Sequence, residues 1–363
     1  MYKKTRVIVG LSGGVDSSVA ALLLLERGYD VHAVFMKNWE DSFAPGYCSA
    51  EEDLEDAREV CETLGIPLHT INFTEAYKER VFQHFLDALR QGRTPNPDIL
   101  CNKEIKFKAF LDHVRRLGGE ALATGHYARR VEREGCQYLL KGLDSQKDQS
   151  YFLYTLGQQQ LSKVLFPVGD LHKSQVRELA ARSGLITHDK KDSTGICFIG
   201  ERNFRDFLGR YLPTQKGDIC TLAGERIGEH MGLMFYTLGQ RQGLGIGGRR
   251  GDSGEPWYVV DKNLTSNQLI VAQGHRHPHL FHQRLHASEV HWVAGTSPQR
   301  PLRCKAKTRY RQPDQACTVE FGAADHCLVE FSAPQRAITP GQSVVFYAED
   351  ECLGGAVIDA VLD

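Results

Sequence analysis

Apolar and polar positions change period along this chain, and the changes divide it. Up to Tyr127, short apolar runs alternate with helical patterns, the order expected of βαβ units around a parallel sheet. Residues 6–11 are an apolar run ending in a Gly/Ser cluster, and apolar residues then recur at helical spacing over 17–27 until Gly28 stops them. Residues 31–36 predict a second buried strand. Ser49-Ala50-Glu51-Glu52 spells a capping box ahead of a helix with Leu54, Ala57, Cys61 and Leu64 on one face. Residues 68–73 predict a third strand, 75–90 a helix, and 121–124 a fourth strand running into Gly125-His126-Tyr127. Loops at such strand ends are where open α/β sheets bind ligands.

After Lys173 one more helix is expected, to Ser183; a Gly/Ser/Thr-rich loop over 192–200 and a Gly-dense stretch over 217–254 follow. The last part alternates strictly in places, as in 317–321 and 343–347, with frequent turn signals, which predicts a small β-barrel. A chain of 363 residues exceeds what one hydrophobic core usually fills. The fold class is therefore α/β with an added barrel, in three domains: an α/β ligand-binding domain at 1–202, a Gly-rich central domain at 203–275 and a β-barrel at 276–363.

Composition narrows this only a little. Hydrophobic residues at 41% and charged residues at 25% describe an ordinary globular protein. The apolar run after Lys3, Lys4 and Arg6 stops at Ser12, too short for a secretory or spanning segment, so a cytoplasmic protein with no membrane partner is expected. Ten cysteines without C-x-x-C spacing are read as reduced, most of them small buried hydrophobes. His275, His277, His279 and His282 lack Cys or carboxylate partners at ligand spacing and read as a solvated linker; no metal is assigned to protein ligands there. Net charge is −1, so any nucleic-acid role must rest on local patches.

Gly10-Leu11-Ser12-Gly13-Gly14-Val15-Asp16-Ser17-Ser18 sits between the first strand and the first helix, where backbone N–H groups and the positive helix end hold phosphate. The loop lacks the lysine of a Walker A sequence and does not fit G-x-G-x-x-G. Amides, hydroxyls and Mg²⁺, with Asp16 as its candidate ligand, are expected to carry the phosphate charge. SGGxDSS is the PP-loop spelling of enzymes that split ATP into AMP and pyrophosphate. That resemblance implies adenylation, with Met36 and Gly125 as further nucleotide contacts, although both also suit packing.

Two cysteines stand in polar surroundings. Cys101 follows Thr94-Pro95-Asn96-Pro97-Asp98 and precedes Lys103, Lys106 and Lys108, neighbours that lower a thiol pKa, and Cys197 lies in Asp192-Ser193-Thr194-Gly195-Ile196-Cys197-Phe198-Ile199-Gly200. Two thiols far apart in sequence suit thiol exchange through a persulfide and a transient disulfide. GLSGGVDSS, NPDxxCNxxIKF, ATGHYAR, LxxxKDQSYFLYxL, DSxGICFIG, YTxGQRxGLGIGG and KxRYRQ together resemble the tRNA-specific 2-thiouridylases along nearly the whole chain.

The resemblance implies that Cys197 carries sulfur as a persulfide, that Cys101 helps release it and closes a disulfide with Cys197, and that Asn96, Pro97 and Asp98 meet the target base, Asp98 doing acid/base work. It further implies the wobble uridine of tRNAs for Lys, Glu and Gln as substrate, ATP with Mg²⁺, and sulfur from a persulfide relay protein fed by a cysteine desulfurase. His126, Arg309, Tyr310 and Gln342 are RNA contacts by the same resemblance. From the residues themselves, Lys147, Asp148 and Gln149 with Ser150 and Tyr151 suit phosphate contact and base stacking. Basic residues at every odd position from Arg303 to Arg311 predict five cations on one strand face, with no acidic residue nearby to offset them. Two rival readings are a PP-loop amide ligase, which needs no thiol, and a non-catalytic RNA-binding protein.

Overall fold

The computed structural model describes residues 4–40, 49–192, 204–247, 254–298, 301–322 and 325–362. Val7, Ile8 and Val9 are fully buried because β1 (Arg6–Gly10) runs through the middle of a five-stranded parallel sheet. β2 (Asp30–Lys37) and β3 (Leu68–Asn72) lie on one side of it and β4 (Ala121–Ala123) on the other. Between β4 and the far edge strand β7 (Val164–Leu165) the chain makes a hairpin, β5 (Ala128–Arg133) and β6 (Cys136–Lys141). The chain leaves β1 and β4 in opposite directions across the sheet, so their carboxyl ends form the crevice that such sheets use for ligands.

α1 (Val15–Glu26) follows β1 and is buried along most of its length, packed on α5 (Lys173–Arg182). Gly28, at φ +85°, closes it, donating its N–H to Leu25 while Tyr29 donates to Leu24. α2 is Ser49–Leu64. α3 spans 74–90, and α4 spans 97–116, where Asn96 accepts from the Asp98 N–H as a cap and Pro97 takes the first helical position. Residues 101–109 of α4 are wound as a π-helix, a form found mostly at functional sites.

The central domain is a four-stranded sheet of β8 (Gly217–Thr221), β9 (Arg226–His230), β10 (Trp257–Asn263) and β11 (Gln268–Gln273) around Ile219, Val259, Leu269 and Val271. β12 (Phe281–Trp292), β13 (Leu302–Lys307), β14 (Gln315–Phe321), β15 (Cys327–Arg336), β16 (Ser343–Ala348) and β17 (Glu351–Leu362) form the expected barrel, closed by β12 on β17. Leu285, Val319, Val329, Phe346 and Ile358 fill it.

Two features depart from expectation. The β5–β6 hairpin, unpredicted, turns through Glu134 and Gly135, both at positive φ, and β6 pairs with β17, joining the first domain to the last. The five-cation face does not form, because β13 ends at Lys307 and the chain turns. Lys305 pairs with Glu349, Lys307 points inward to Asp148 and Asp314, and the Arg309 guanidinium donates to the carbonyls of Leu238 and Ala337. Acidic partners are thus near after all, and Arg309 fastens the barrel to the central domain. No described helix is long and apolar enough to cross a membrane.

Candidate functional site

The glycine-rich loop lies where the sequence placed it, at the carboxyl end of β1, and a glycine is sterically required at Gly13 and, across the crevice, at Gly125. A Cβ on Gly13 (φ +74°) would stand 2.3 Å from the Asp53 carbonyl oxygen of α2, and one on Gly125 would stand 2.6 Å from the Ser17 nitrogen. Gly125 thus lets the end of β4 sit directly on the start of α1. Met36 packs beside Gly10, its Cε 3.5 Å from where a Cβ would be. Leu11 and Val15 are buried anchors, and Gly14 precedes the first helical residue. Ser12 is exposed; its hydroxyl is 3.2 Å from that of Ser17, which donates to the Gly14 carbonyl.

The cations that the loop sequence lacks arrive from elsewhere. Lys173, first residue of α5, donates to both oxygens of Asp16 at 2.7 and 2.8 Å, and Tyr127 donates to the same carboxylate at 2.7 Å. Burial and the charge of Asp16 push the Tyr127 phenol far above its ordinary range, so it stays an O–H donor. Lys190 donates to the Gly13 carbonyl at 3.0 Å and pairs with Asp53 and Asp56 of α2. Sequence reasoning missed Lys173 and Lys190, since nothing local marks them as loop partners.

Asp192 gathers this cluster, accepting from Lys147 at 2.6 Å, Lys173 at 2.7 Å and Arg177 at 3.1 Å. Burial pushes its carboxyl up, but Lys147 and Lys173 outweigh burial and hold it at about 2. Cys197 comes five residues later (197 − 192) and lies outside the described residues.

Asn96 and Pro97 start the helix ahead of Cys101, whose thiol stands in polar sequence but is buried within α4. Of its basic neighbours, Lys103 and Lys108 are exposed, Lys108 pairing with Glu104. The same helix carries Phe110, 3.2 Å from the Cβ position of Gly10, and Phe107, whose ring centroid is 5.7 Å from that of His126. Cys101 thus lies nine positions along the helix from the residue that meets Gly10 (110 − 101). Burial raises the Asp98 carboxyl against the pull of Lys106, and burial with Lys106 drives His126 well below its usual range, so the imidazole is neutral, with Nδ1 2.8 Å from the Thr124 hydroxyl.

Of the remaining expected contacts, Asp148 is buried, its carboxylate taken by the N–H groups of Gly142 and Ser150, the Ser150 hydroxyl and Lys307, and therefore presents nothing to a ligand. Gln149 accepts from the Tyr127 N–H. Tyr310 packs on Phe152 with centroids 4.4 Å apart, leaving an aromatic cluster between α4 and the barrel. Gln342 donates to the Thr94 carbonyl at 2.7 Å, while Thr94 donates to Pro340, so the barrel holds the loop ahead of Asn96, Pro97 and Asp98. Among the other cysteines Cys61, Cys220, Cys317, Cys327 and Cys352 are buried as expected, but Cys136 is exposed and Cys304 half-buried.

A parallel sheet with a glycine-rich loop at its crevice, followed by two β domains, defines an enzyme of the nucleotide-binding α/β class with appended barrels. Family models match in the same order: a tRNA methyl transferase HUP domain over residues 5–201, a tRNA methyl transferase PRC-barrel domain over 205–273, and an aminomethyltransferase β-barrel domain over 282–358. The tRNA-specific 2-thiouridylase MnmA of Francisella tularensis subsp. holarctica is 60% identical over 97% of this chain and 99% of its own length; that of Methylococcus capsulatus is 60% identical over 98% and 96%. The chain belongs to the tRNA-specific 2-thiouridylase family. The models' wording speaks of methyl transfer, but identity over nearly the entire chain lies with the thiolating enzymes.

Proposed function

We propose that this protein makes 2-thiouridine at the wobble position of tRNA by adenylating the C2 oxygen with ATP and replacing it with sulfur. The observation that carries the mechanism is Lys173 bridging Asp16 of the loop to Asp192, the root of the segment that holds Cys197. Five residues span at most about 18 Å, which is the farthest that Cys197 can lie from Asp192. α4, whose Phe110 packs beside Gly10 of the loop, carries Cys101 near its start.

ATP binds with its phosphates at Ser12 to Ser18, where Lys173 and Lys190 supply charge. The oxygen chemistry of Asp16 suits Mg²⁺, which would screen the phosphates when bound, Lys173 then passing from Asp16 to phosphate. The C2 oxygen of uridine attacks the α-phosphorus and pyrophosphate leaves. The terminal sulfur of the Cys197 persulfide attacks C2, and AMP departs with the oxygen. The Cys101 thiolate attacks the inner sulfur, breaking the S–S bond; sulfur stays on C2 and a Cys101–Cys197 disulfide forms, which a dithiol reductant reopens. Asp98, with its raised carboxyl, serves as acid/base group beside Asn96 and Pro97. Tyr310, Gln149 and His126 line the approach of the RNA. The tRNAs are those for Lys, Glu and Gln, the donor is a persulfide relay protein fed by a cysteine desulfurase, and the enzyme works in the cytoplasm.

Mass spectrometry of tRNA incubated with enzyme, ATP and a persulfide donor tests this: a sulfur-for-oxygen mass gain at the wobble uridine is expected, and its absence overturns the reading. Cys197→Ser should abolish the gain. An amide ligase on the same loop would keep full turnover.

A further inference from the structure

Asp359 is the residue of β17 left over where that strand pairs with β12. His286 faces Ala360 and Ala287 faces Ile358, so Asp359 occupies a β-bulge, an irregularity that re-aims a side chain. Its carboxylate is aimed at two groups: Oδ1 is 3.3 Å from Nη1 of Arg93, and Oδ2 is 3.4 Å from Nδ1 of His286. His326, immediately before β15, stacks on His286 with ring centroids 5.2 Å apart and planes 24° from parallel. One ligand atom from each of His286, His326 and Asp359 lies within 4.8 Å of the other two.

We propose that these three residues form a transition-metal site of the zinc class on the outer wall of the barrel. Two imidazoles and a carboxylate are a nitrogen-rich donor set that suits zinc and disfavours Mg²⁺ or Ca²⁺, which take oxygen ligands. Bonds of about 2.0–2.2 Å in a tetrahedron place ligand atoms about 3.4 Å apart. The His286–Asp359 pair is already at that spacing, and the half-exposed ring of His326 closes the remainder by side-chain rotation. The fourth position is left to water.

The Arg93 charge opposes a nearby cation, but it sits on the other carboxylate oxygen, where it acts as an outer hydrogen bond that orients the ligand. That arrangement gives the site a consequence. Arg93 precedes Thr94, which the barrel holds through Pro340 and Gln342, so metal on Asp359 stiffens the root of the segment leading to Asp98 and Cys101.

The test is titration of metal-stripped full-length chain carrying Cys101→Ser, Cys136→Ser and Cys197→Ser, which removes the exposed thiol and the two thiols assigned to sulfur transfer. Zn²⁺ is followed by calorimetry and Co²⁺ by its visible absorption. One site is expected, weakened at least ~10-fold by His286→Ala and separately by His326→Ala, and unchanged by His277→Ala/His279→Ala in the His-rich connection. Zinc should also slow hydrogen exchange of residues 91–96 several-fold, and not in His286→Ala. Absence of binding, affinity unaltered by both single replacements, or loss confined to the His277/His279 variant overturns the proposal.

Discussion

Lys173 stands 157 residues from Asp16 in sequence and 2.7 Å from it in space. A loop without its own lysine is thereby given one, fixed at the first position of α5 and aimed by Asp16, Asp192 and the face of Tyr127. Lys173→Ala should reduce ATP-dependent pyrophosphate release by about 10²-fold, the usual effect of removing one transition-state charge contact. Lys173→Arg should recover little, since a planar fork does not replace a point charge held between two carboxylates. Steady-state pyrophosphate assays on the three proteins decide it.

Gly125→Ala probes the contact between β4 and α1. A methyl group 2.6 Å from the Ser17 nitrogen must push the helix start away from the crevice. A cost of about 1–3 kcal/mol in urea denaturation is expected, with a marked loss of ATP affinity. Unchanged ATP binding would mean that the loop adapts.

Arg303 and Lys307, four residues apart on β13, should behave differently. Arg303 is exposed, and Arg303→Ala should weaken tRNA binding and lower its salt slope by about 1. Lys307 is mostly buried against Asp148, so Lys307→Ala should instead destabilise the fold by about 3 kcal/mol while leaving the salt slope unchanged. Filter binding across salt concentrations, together with thermal melts, separates the two.

These contrasts show which information is local. The first strands, α1 and the glycine loop were legible because period and turn chemistry act over a few residues, and the barrel because alternation does the same. Lys173, Lys190 and Asp192 were not, since their roles exist only once α5 has packed on α1. The basic ridge was misread for the same reason: alternation assigns a face but not the place where a strand stops, and beyond Lys307 the chain turns so that Arg309 serves the domain joint. The helix start beside Cys101 is legible in Asn96 and Pro97, which cap and open it, but the burial of the thiol is not, because it depends on what α4 packs against.

Lys262 supplies a pH signature. Its ammonium donates to the Gly92 carbonyl beside a cavity of about 240 Å³ where the three domains meet, and burial lowers it to about 8. The folded protein thus holds this proton less firmly than the unfolded chain. Between about pH 8 and the ordinary lysine value near 10.4, unfolding takes up a proton and stability rises with pH; below about 8 both states are protonated and the slope vanishes. Urea midpoints at pH 8 and pH 9.5 should therefore diverge more in the wild type than in Lys262→Met.

The pairing of β6 with β17 sets an order of events during synthesis. Leu139 and Leu140 wait for Cys352 and Glu351, so a hairpin made in the first half of translation has its partner only when almost the whole chain has left the ribosome. Until then β6 offers an open strand edge beside the young nucleotide domain, and a nascent chain stalled before β17 is an aggregation hazard.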